Sequence, residues 1–395
     1  ELGSGLVLWL PNLSIVREEL EAWWRKIHHE RGYTLVYTPH IANEKLFEIS
    51  GHLQTFKENM FGPIDVEGQL FRPKPMNCPG HIVIYQSRQR SYRDLPIRYA
   101  EFGTVYRYER SGVLHGMLRV RGFTQDDAHV FCTPEQVTVE TERLLDLVHE
   151  MLGVFGYPYT IELATRPENA LGEPAVWDRA VRTLAGVLKA RGQAFTYDEG
   201  GGAFYGPKLD FKLIDAIGRK WQGPTVQLDF NLPERFALEY IGADNAAHRP
   251  VMLHRVLVGS MERFVGGLIE HYAGAFPLWL APEQISIIPI TPDVAPAAAS
   301  LAERLLEAGI RVGYDAENRE DYRERIKTAS KMKVPYMAII GKREADSGTV
   351  TLRLRGTEKQ QVTITVSALV ERLRAERDTR ALAPLDALQP AANGL

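Results

Sequence analysis

The sequence predicts an α+β domain built on an antiparallel sheet, followed by a smaller α/β domain. Three observations carry that expectation. In the first two thirds of the chain, runs with period-two alternation return at hairpin-like spacings more often than strand, helix, strand units do. Near Pro250 a buried strand, VMLHRVLV, runs through Gly259 into a helical pattern that lasts to Gly274. Beyond a short linker at residues 280–282 strand and helix alternate, the rhythm of an α/β unit with a mostly parallel sheet.

In order, residues 12–32 read as a helix, because Leu13, Val16, Leu20, Trp23 or Trp24, and Ile27 recur at three-and-four spacing and Gly32 supplies a stop. Strands are expected at 33–37 and 70–72, then a short helix around Ile82, Val83 and Tyr85. Residues 98–132 read as a hairpin with a long polar connection: Tyr99, Tyr106 and Tyr108 alternate with charged residues, Gly112 and Gly116 break the run, and 117–131 resumes an extended pattern. Arg107, Glu109, Arg119, Arg121, Asp126 and Asp127 would then lie in apparent strand. Such a face must be wet or meet a charged ligand, since an unpaired buried charge is too costly.

Thr133-Pro134-Glu135-Gln136 has the form of a capping box with proline at the first helical position, and the helix after it buries Val137, Leu144, Val148 and Met151. A strand at 160–163, a helix at 175–191 and a strand-rich run over 203–232 complete the first domain, taken as residues 1–280. The second, taken as 283–380, reads strand 285–290, helix 294–308, strand 311–314, helix 322–332, strand 336–340, two further strands and a last helix from about Ser367. The tail, 381–395, is nearly uncharged, has no period and is expected to be mobile.

Composition bounds the function. At 395 residues, 45% hydrophobic and 25% charged, the chain is an ordinary globular protein of two or three domains. A net charge of −3 gives no global attraction to nucleic acid, so any polyanion must be met by local patches. The longest apolar stretch, 264–280, is interrupted by Glu270 and His271, which argues against a membrane span. No secretory pattern opens the chain, and two cysteines, Cys78 and Cys132, make no disulfide framework, so a cytoplasmic location is expected. Its first residue is Glu1 rather than Met, from which a preceding segment is expected.

Four positive side chains stand out: Arg107 and Arg119 in the hairpin, Lys208 in GGGAFYGPK, and Arg263 in the first helical turn after the apolar strand, where free N–H groups favour an anion. Arginine matches phosphate in a bidentate way, so the set could hold a triphosphate; each alone could equally be a surface ion pair. Neither a G-x-x-x-x-G-K-[ST] loop nor a G-x-G-x-x-G turn occurs, so a nucleotide would bind on the antiparallel sheet by arginines. Cys78, His129 and His254 form a second constellation whose spacing by itself gives no metal signature. Asp127 shares a strand face with His129.

MNCPGH at 76–81, AEFGTVYRYERSG at 100–112, LHGMLRVRGFTQDDAH at 114–129 and LHRVLVGSMERF at 253–264 together resemble the threonyl-tRNA synthetases, which are class II aminoacyl-tRNA synthetases. The resemblance runs from about Leu6 to about Arg374. It implies the class II catalytic fold, an α/β anticodon-binding domain, a homodimer, one Zn²⁺ per chain in the amino-acid pocket and Mg²⁺ accompanying ATP. It also implies the reaction: ATP-dependent activation of L-threonine to threonyl-adenylate and transfer to threonine tRNA.

Carried over residue by residue, the resemblance makes Cys78, His129 and His254 the zinc ligands. Arg107 would bridge the α-phosphate and the threonine carboxylate, Glu109 would read the adenine amino group, Phe123 would stack on adenine, and Arg119 and Arg263 would hold the distal phosphates. Gln125, Asp127, Tyr205, Gln227 and Ser260 would surround threonine, while Lys208, Gln222 and Thr225 would contact carboxylate and phosphate. For the anticodon it points to Arg323, Lys327, Lys333, Glu344 and Arg353, with the helix 322–333, basic through Arg323, Arg325, Lys327, Lys331 and Lys333, against the stem-loop. Residues 12–39 would contribute to the dimer interface.

Departures from the family pattern are three. Lys327 and Lys333 stand where arginine is common, WQGPT surrounds Gln222 in place of other small residues, and no segment resembles an editing domain. Hydrolysis of seryl-tRNA is therefore expected from a separate polypeptide or a preceding portion. His52 resembles a family histidine proposed to assist acyl transfer; the other reading is a surface histidine at a helix end. The alternative function is a non-catalytic relative that binds tRNA or amino acid for regulation. It would be expected to lose Arg107, Arg263 or a metal ligand, all of which are present.

Overall fold

A computed structural model describes residues 2–214, 218–317, 320–356 and 361–384. The expected mobile tail lies, from 385 on, outside the described residues. Two compact units result: residues up to Leu8 together with Trp23–Gly267, and Trp9–Ala22 together with the residues from Leu268 on.

The first element is α1 (Pro11–Glu30), whose apolar stripe Val16, Leu20, Trp23, Trp24 and Ile27 is buried, so both tryptophans of the ambiguous pair face inward. After β1 (Thr34–Leu35) comes α2 (Cys78–Gln86), which begins four residues before the apolar run that marked it in the sequence and has proline at its second position. The hairpin strands are β2 (Ile97–Tyr106) and β3 (Gly122–Cys132). Residues 107–121 form a loop with one 3-10 turn and a single bridge between His115 and Arg119.

That loop corrects the expectation for the hairpin. Of the six charged residues read as strand, only Asp126 and Asp127 lie in one; Arg107, Glu109, Arg119 and Arg121 belong to the connection. There Arg119 pairs with Glu109, while Arg107 and Arg121 donate to backbone carbonyls, so none of these charges is buried without a partner.

The Thr133–Gln136 capping box is present and leads into α3 (Val137–Phe155), with Val137, Leu144, Val148 and Met151 buried. There follow β4 (Tyr159–Ala164), α4 (Pro174–Ala190), β5 (Thr196–Asp198), β6 (Lys208–Ile214), β7 (Lys220–Asp229), β8 (Val251–Ser260) and α5 (Met261–His271). The strands order as β1-β2-β3-β8-β7-β6-β4-β5. All pairings are antiparallel except the two at the edges, β1 with β2 and β4 with β5. A separate three-stranded antiparallel sheet joins Ile41–Asn43, Gln69–Pro73 and Ile64–Val66.

One face of the large sheet is closed by α1, α3 and α5. Trp24 packs on Phe102 with ring centroids 4.4 Å apart, Trp23 on Phe155 at 5.5 Å, and Phe155 on Phe264 at 4.9 Å. On the other face α2 covers only one end, its Ile82 and Tyr85 clustering with Tyr99, Phe131 and Met252.

In the second unit are β9 (Ile285–Pro289), α6 (Ala295–Glu307), β10 (Val312–Tyr314), α7 (Tyr322–Lys331), β11 (Tyr336–Ile340), β12 (Thr349–Leu354), β13 (Gln361–Thr365) and α8 (Val366–Asp378). The order is β10-β9-β11-β12-β13. β9 pairs in parallel with β10 and β11, whereas β11–β12 and β12–β13 are antiparallel, so the sheet is mixed rather than mostly parallel. The reason is local: the link from β11 to β12 is the six-residue helix Lys342–Ser347, too short for a right-handed crossover. Ala298, Leu301 and Leu305 of α6 and Leu369 and Leu373 of α8 bury one face; Ile326 and Ala329 of α7 pack on Ile288 and Met337 of the other.

Candidate active site

Directly opposed residues in an antiparallel sheet point to the same side, and this register builds the site. One row crosses four strands as Lys208, Gln227, His254 and His129. The next row on the same face holds Asp210, Thr225, Val256, Asp127 and Glu101. Gln125, two residues further along β3, lies opposite Ser260. Residues scattered over more than 130 positions of sequence thus share one surface.

Cys78, the first residue of α2, reaches this surface from above the sheet. Ligand atoms of Cys78, His129 and His254 all lie within 4.8 Å of one another, and all three residues are buried. The His129 Nε2 atom is buried and has no hydrogen-bond partner among the described residues. Burial, with the Asp127 and Asp229 carboxylates near it, pushes the Cys78 thiol well above its ordinary range, and burial holds His129 well below its own. A thiol that needs a cation to ionise and a neutral imidazole with a free lone pair are the donors of a soft divalent site, so the residues fit zinc. His254 Nε2 donates to Asp229 at 2.8 Å, leaving Nδ1 as its lone-pair nitrogen. Asp229 is itself held by the N–H groups of Asn231 and Leu232 at 2.7 and 3.0 Å.

Beside this cluster sit the other predicted pocket residues. Asp127 is buried and accepts from Asn77 Nδ2 at 3.2 Å. Asn77 in turn needs the bare backbone of Gly103, where a Cβ would come within 2.4 Å of its side chain. The Tyr205 ring lies 5.2 Å from that of His254, and burial keeps its phenol protonated. Gln227 donates to the Gly206 carbonyl at 3.1 Å.

The cationic half is formed by the 107–121 loop and the start of α5. Arg107 donates to the Pro75 carbonyl at 3.2 Å and lies over the Phe123 ring at 5.1 Å and the Phe56 ring at 5.6 Å. Arg119 and Glu109 are paired with each other at 3.0 Å, with Arg119 half exposed. Arg263 donates from Nε to the Leu118 carbonyl at 2.9 Å, and its backbone N–H donates to Ser260 Oγ at 3.1 Å.

Lys208, Gln222 and Thr225 converge on a residue that sequence reasoning missed. Asp210, 1% exposed, accepts from Lys208 Nζ at 2.6 Å, Gln222 Nε2 at 2.9 Å and Thr225 Oγ1 at 3.0 Å. A bulge between Gln222 and Thr225 restores Gln222 to this face. Asp126 was singled out only as a charge in a strand. Its carboxylate is on the opposite face, accepting from the backbone N–H groups of Leu257, Val258 and Gly259 at 2.9 to 3.1 Å and pairing with Arg255 at 3.3 Å. It holds the bulge between Val256 and Ser260, where Gly259 takes φ +77, and so sets the start of α5 that carries Arg263. The Asp126 role depends wholly on a partner strand, and of the Asp210 partners only Lys208, two residues away on the same strand, is local; Gln222 and Thr225 come from the neighbouring strand.

His52 is buried, not at the surface. Its Nδ1 contacts Ser50 Oγ at 2.6 Å and its Nε2 contacts Met76 Sδ at 2.9 Å, and burial, with Arg107 adding to it, lowers its pKa to about 3.

The residues implied for anticodon contact all belong to the second unit. Arg323, Lys327 and Lys333 are exposed; Arg323 lies over the Tyr322 ring, and Lys327 pairs with Glu324 at 3.3 Å. Lys333 Nζ donates to the Ala273 carbonyl. Arg325 departs from the expected basic face: it is buried and donates to the Pro289 carbonyl at 2.9 Å. The Glu344 carboxylate accepts from Gly341 N–H and Thr351 Oγ1, both at 3.0 Å, and so caps its own helix. Arg353 lies opposite Met337, on the sheet face that α7 covers.

The chain matches the family model described as tRNA synthetase class II core domain (G, H, P, S and T) over residues 65–272, and that of the anticodon binding domain over residues 284–376. It is 53% identical over 356 residues to the threonine–tRNA ligase of Synechococcus sp. (strain WH7803), covering 90% of this chain and 58% of that protein. With the threonine–tRNA ligase of Magnetococcus marinus it shares 49% identity over 383 residues, 97% of this chain and 59% of the relative. The chain therefore spans somewhat more than half the length of these curated relatives. Among solved structures, one described as the RNA binding domain of threonyl-tRNA synthetase from Cryptosporidium parvum Iowa II superposes with a TM-score of 0.91 at 37% identity, covering 98% of this chain and 95% of that one. Prolyl-tRNA synthetase of Giardia lamblia, at 16% identity and a TM-score of 0.75, shares the fold.

Proposed function

Because the chain belongs to the threonyl-tRNA synthetases, within the class II aminoacyl-tRNA synthetases, we propose that it activates L-threonine with ATP to threonyl-adenylate and transfers the threonyl group to threonine tRNA. The observation that carries the reading is the Cys78, His129 and His254 cluster, in which the two histidines share a strand row with Lys208 and Gln227, next to the row of Asp127, and Cys78 comes from the start of α2. A phosphate-binding sheet alone would serve any class II amino acid; a soft-metal site in the pocket selects one that can chelate.

ATP enters with Mg²⁺. Arg107 bridges its α-phosphate and the threonine carboxylate, Phe123 stacks on adenine and Glu109 accepts from the adenine amino group. Arg263 and Arg119 hold the distal phosphates, and the half-exposed Arg119–Glu109 pair, worth little in water, opens at small cost. One carboxylate oxygen attacks the α-phosphorus, pyrophosphate leaves, and the surrounding positive charges offset the charge that builds in the transition state. Lys208, Gln222 and Thr225, tied together by Asp210, fix the carboxylate and phosphate sides of the pocket. Gln125, Asp127, Tyr205, Gln227 and Ser260 close around the amino acid. Cys78, His129 and His254 would hold a zinc ion, which would supply Lewis-acid chemistry for recognition of the threonine amine and hydroxyl. A terminal ribose hydroxyl of the tRNA then takes the acyl group and AMP leaves.

The active form is a homodimer in the cytoplasm, with α1 and β1 contributing to a two-fold patch, and the exposed charges of α7 lie against the anticodon stem-loop. Since one methyl group separates serine from threonine, a hydrolytic site beyond these elements must complete discrimination, and a separate editing protein is the partner proposed for it. ATP–pyrophosphate exchange with threonine, serine, valine and proline tests the reading. Exchange strongest with threonine is expected; none with any of the four would leave a binding relative, and a preference for serine or proline would reassign the enzyme.

A further inference from the structure

His129 presents the lone pair of Nε2 to the metal only if its proton sits on Nδ1, and the surroundings dictate that arrangement. His129 Nδ1 lies 2.7 Å from His81 Nδ1, and His81 Nε2 lies 3.2 Å from Glu101 Oε1. All three residues are almost wholly buried, so bulk water does not settle the tautomers. Glu101 is surrounded by donors: Thr38 N–H at 3.0 Å on one oxygen, and Thr38 O–H at 2.6 Å and Lys74 Nζ at 3.7 Å on the other. Lys74 Nζ also donates to Thr38 Oγ1 at 2.5 Å, which turns the threonine proton toward the carboxylate. Glu101 is therefore an acceptor toward His81, which must donate from Nε2 and keep its own lone pair on Nδ1. That lone pair accepts the Nδ1 proton of His129, and Nε2 of His129 is left bare.

We infer that His81 and Glu101 are positioning residues that lock His129 in its metal-binding tautomer, a relay by which an outer carboxylate acts through an intervening imidazole. The inference rests on the zinc reading above. His254 obtains the same result directly from Asp229. The two ligating histidines are thus oriented by different carboxylates, one of them through an extra ring because His81 of α2 bridges His129 on β3 and Glu101 on β2. Threonine recognition depends on the relay, whereas ATP contacts do not.

The test uses the full chain and two substitutions of His81. His81→Asn places a carbonyl oxygen close to where Nδ1 stood and keeps an acceptor for His129; His81→Leu fills the space without one. Zinc per chain is measured after dialysis against a competing chelator, and cobalt-substituted protein is read by its d–d bands and thiolate-to-cobalt absorption. His81→Leu is expected to lose about 10–100-fold in metal affinity, with altered cobalt bands and a raised KM for threonine at unchanged KM for ATP. His81→Asn is expected to stay near the parent. Should His81→Leu fail to fold, Glu101→Gln tests the same relay, because its amide can accept from His81 only by turning NH₂ toward the Thr38 backbone N–H, itself a donor. Parent-like affinity and cobalt spectrum in His81→Leu, or in Glu101→Gln where that variant stands in, would overturn the relay while leaving the metal site intact. Equal losses in the Leu and Asn variants would reduce His81 to packing. A parent chain that binds no zinc would remove the underlying reading and the relay with it.

Discussion

His254 stands directly opposite His129 across the β3–β8 ladder, their ring centroids 4.7 Å apart at an angle of 85°. Neighbouring antiparallel strands bring any two such residues close, yet only Cys78, delivered by the start of α2, turns the pair into a three-donor cluster. Removing that third donor separates metal binding from nucleotide binding. Cys78→Ala is expected to lose zinc, with metal affinity lowered by roughly 100-fold or more, since deleting a direct ligand costs at least as much as disturbing an outer partner. Metal analysis beside ATP titration checks it: full zinc content in the variant would sink the site.

Asp210 gathers three side chains proposed to touch substrate. Asp210→Ala is expected to lower kcat/KM for adenylate formation by about 10–100-fold, the loss that follows when hydrogen bonds to a charged group disappear. Steady-state pyrophosphate exchange measures it, and the urea midpoint guards against a mere folding defect.

His52 carries a pH signature. Its pKa is lowered from 6.5 to about 3 by burial, so the folded chain holds it neutral where the unfolded chain takes up a proton. Its contribution to stability is complete above pH 6.5 and is lost as the pH falls from 6.5 toward 3. Urea midpoints should decline through that window, and His52→Asn should decline less steeply. An identical slope would mean that other groups, such as the similarly buried His28, carry the effect.

On α7, Arg323 and Lys327 are exposed while Arg325 is buried, so the basic face is narrower than its composition indicates. Arg323→Glu with Lys327→Glu should raise the KM for tRNA and lessen its salt dependence by about one unit of slope per lost phosphate contact. Adenylate formation should not change. By contrast, Arg325→Ala should act on stability, read as a lower urea midpoint.

The proposed pocket also predicts which errors are made. Valine lacks the hydroxyl that its polar groups would hold, and exchange with valine should fall roughly 10⁴-fold or more below threonine. Serine lacks only a methyl group, worth about 1–3 kcal/mol, so its exchange should lie within roughly 10–200-fold of threonine. Serine rejected as strongly as valine would argue against the chelating pocket.

Much was legible without coordinates. The helix at 11–30, the Thr133–Gln136 cap, the strand into Arg263 and the change of rhythm near residue 280 are local patterns of period and capping, set by which side chains can face a core. The candidate residues came from motifs, and those motifs carried a family resemblance more specific than composition could. What the sequence could not contain is register. Asp210 on Gln222 and Thr225, Asp126 behind the bulge at Gly259, Asp229 on His254, and Glu101 behind His81 are partners 12 to 133 residues apart, joined through strand pairing or a packed helix. For the same reason the hairpin charges were misplaced. Alternation of residue types marks a possible strand, but only the presence of a core on one side decides whether an arginine can occupy it or must loop out to water or a ligand. The residue types proposed to do the chemistry were set by the sequence alone; their tautomers, partners and shared face were decided by tertiary contacts, because hydrogen-bond direction in a buried site depends on what each neighbour can donate.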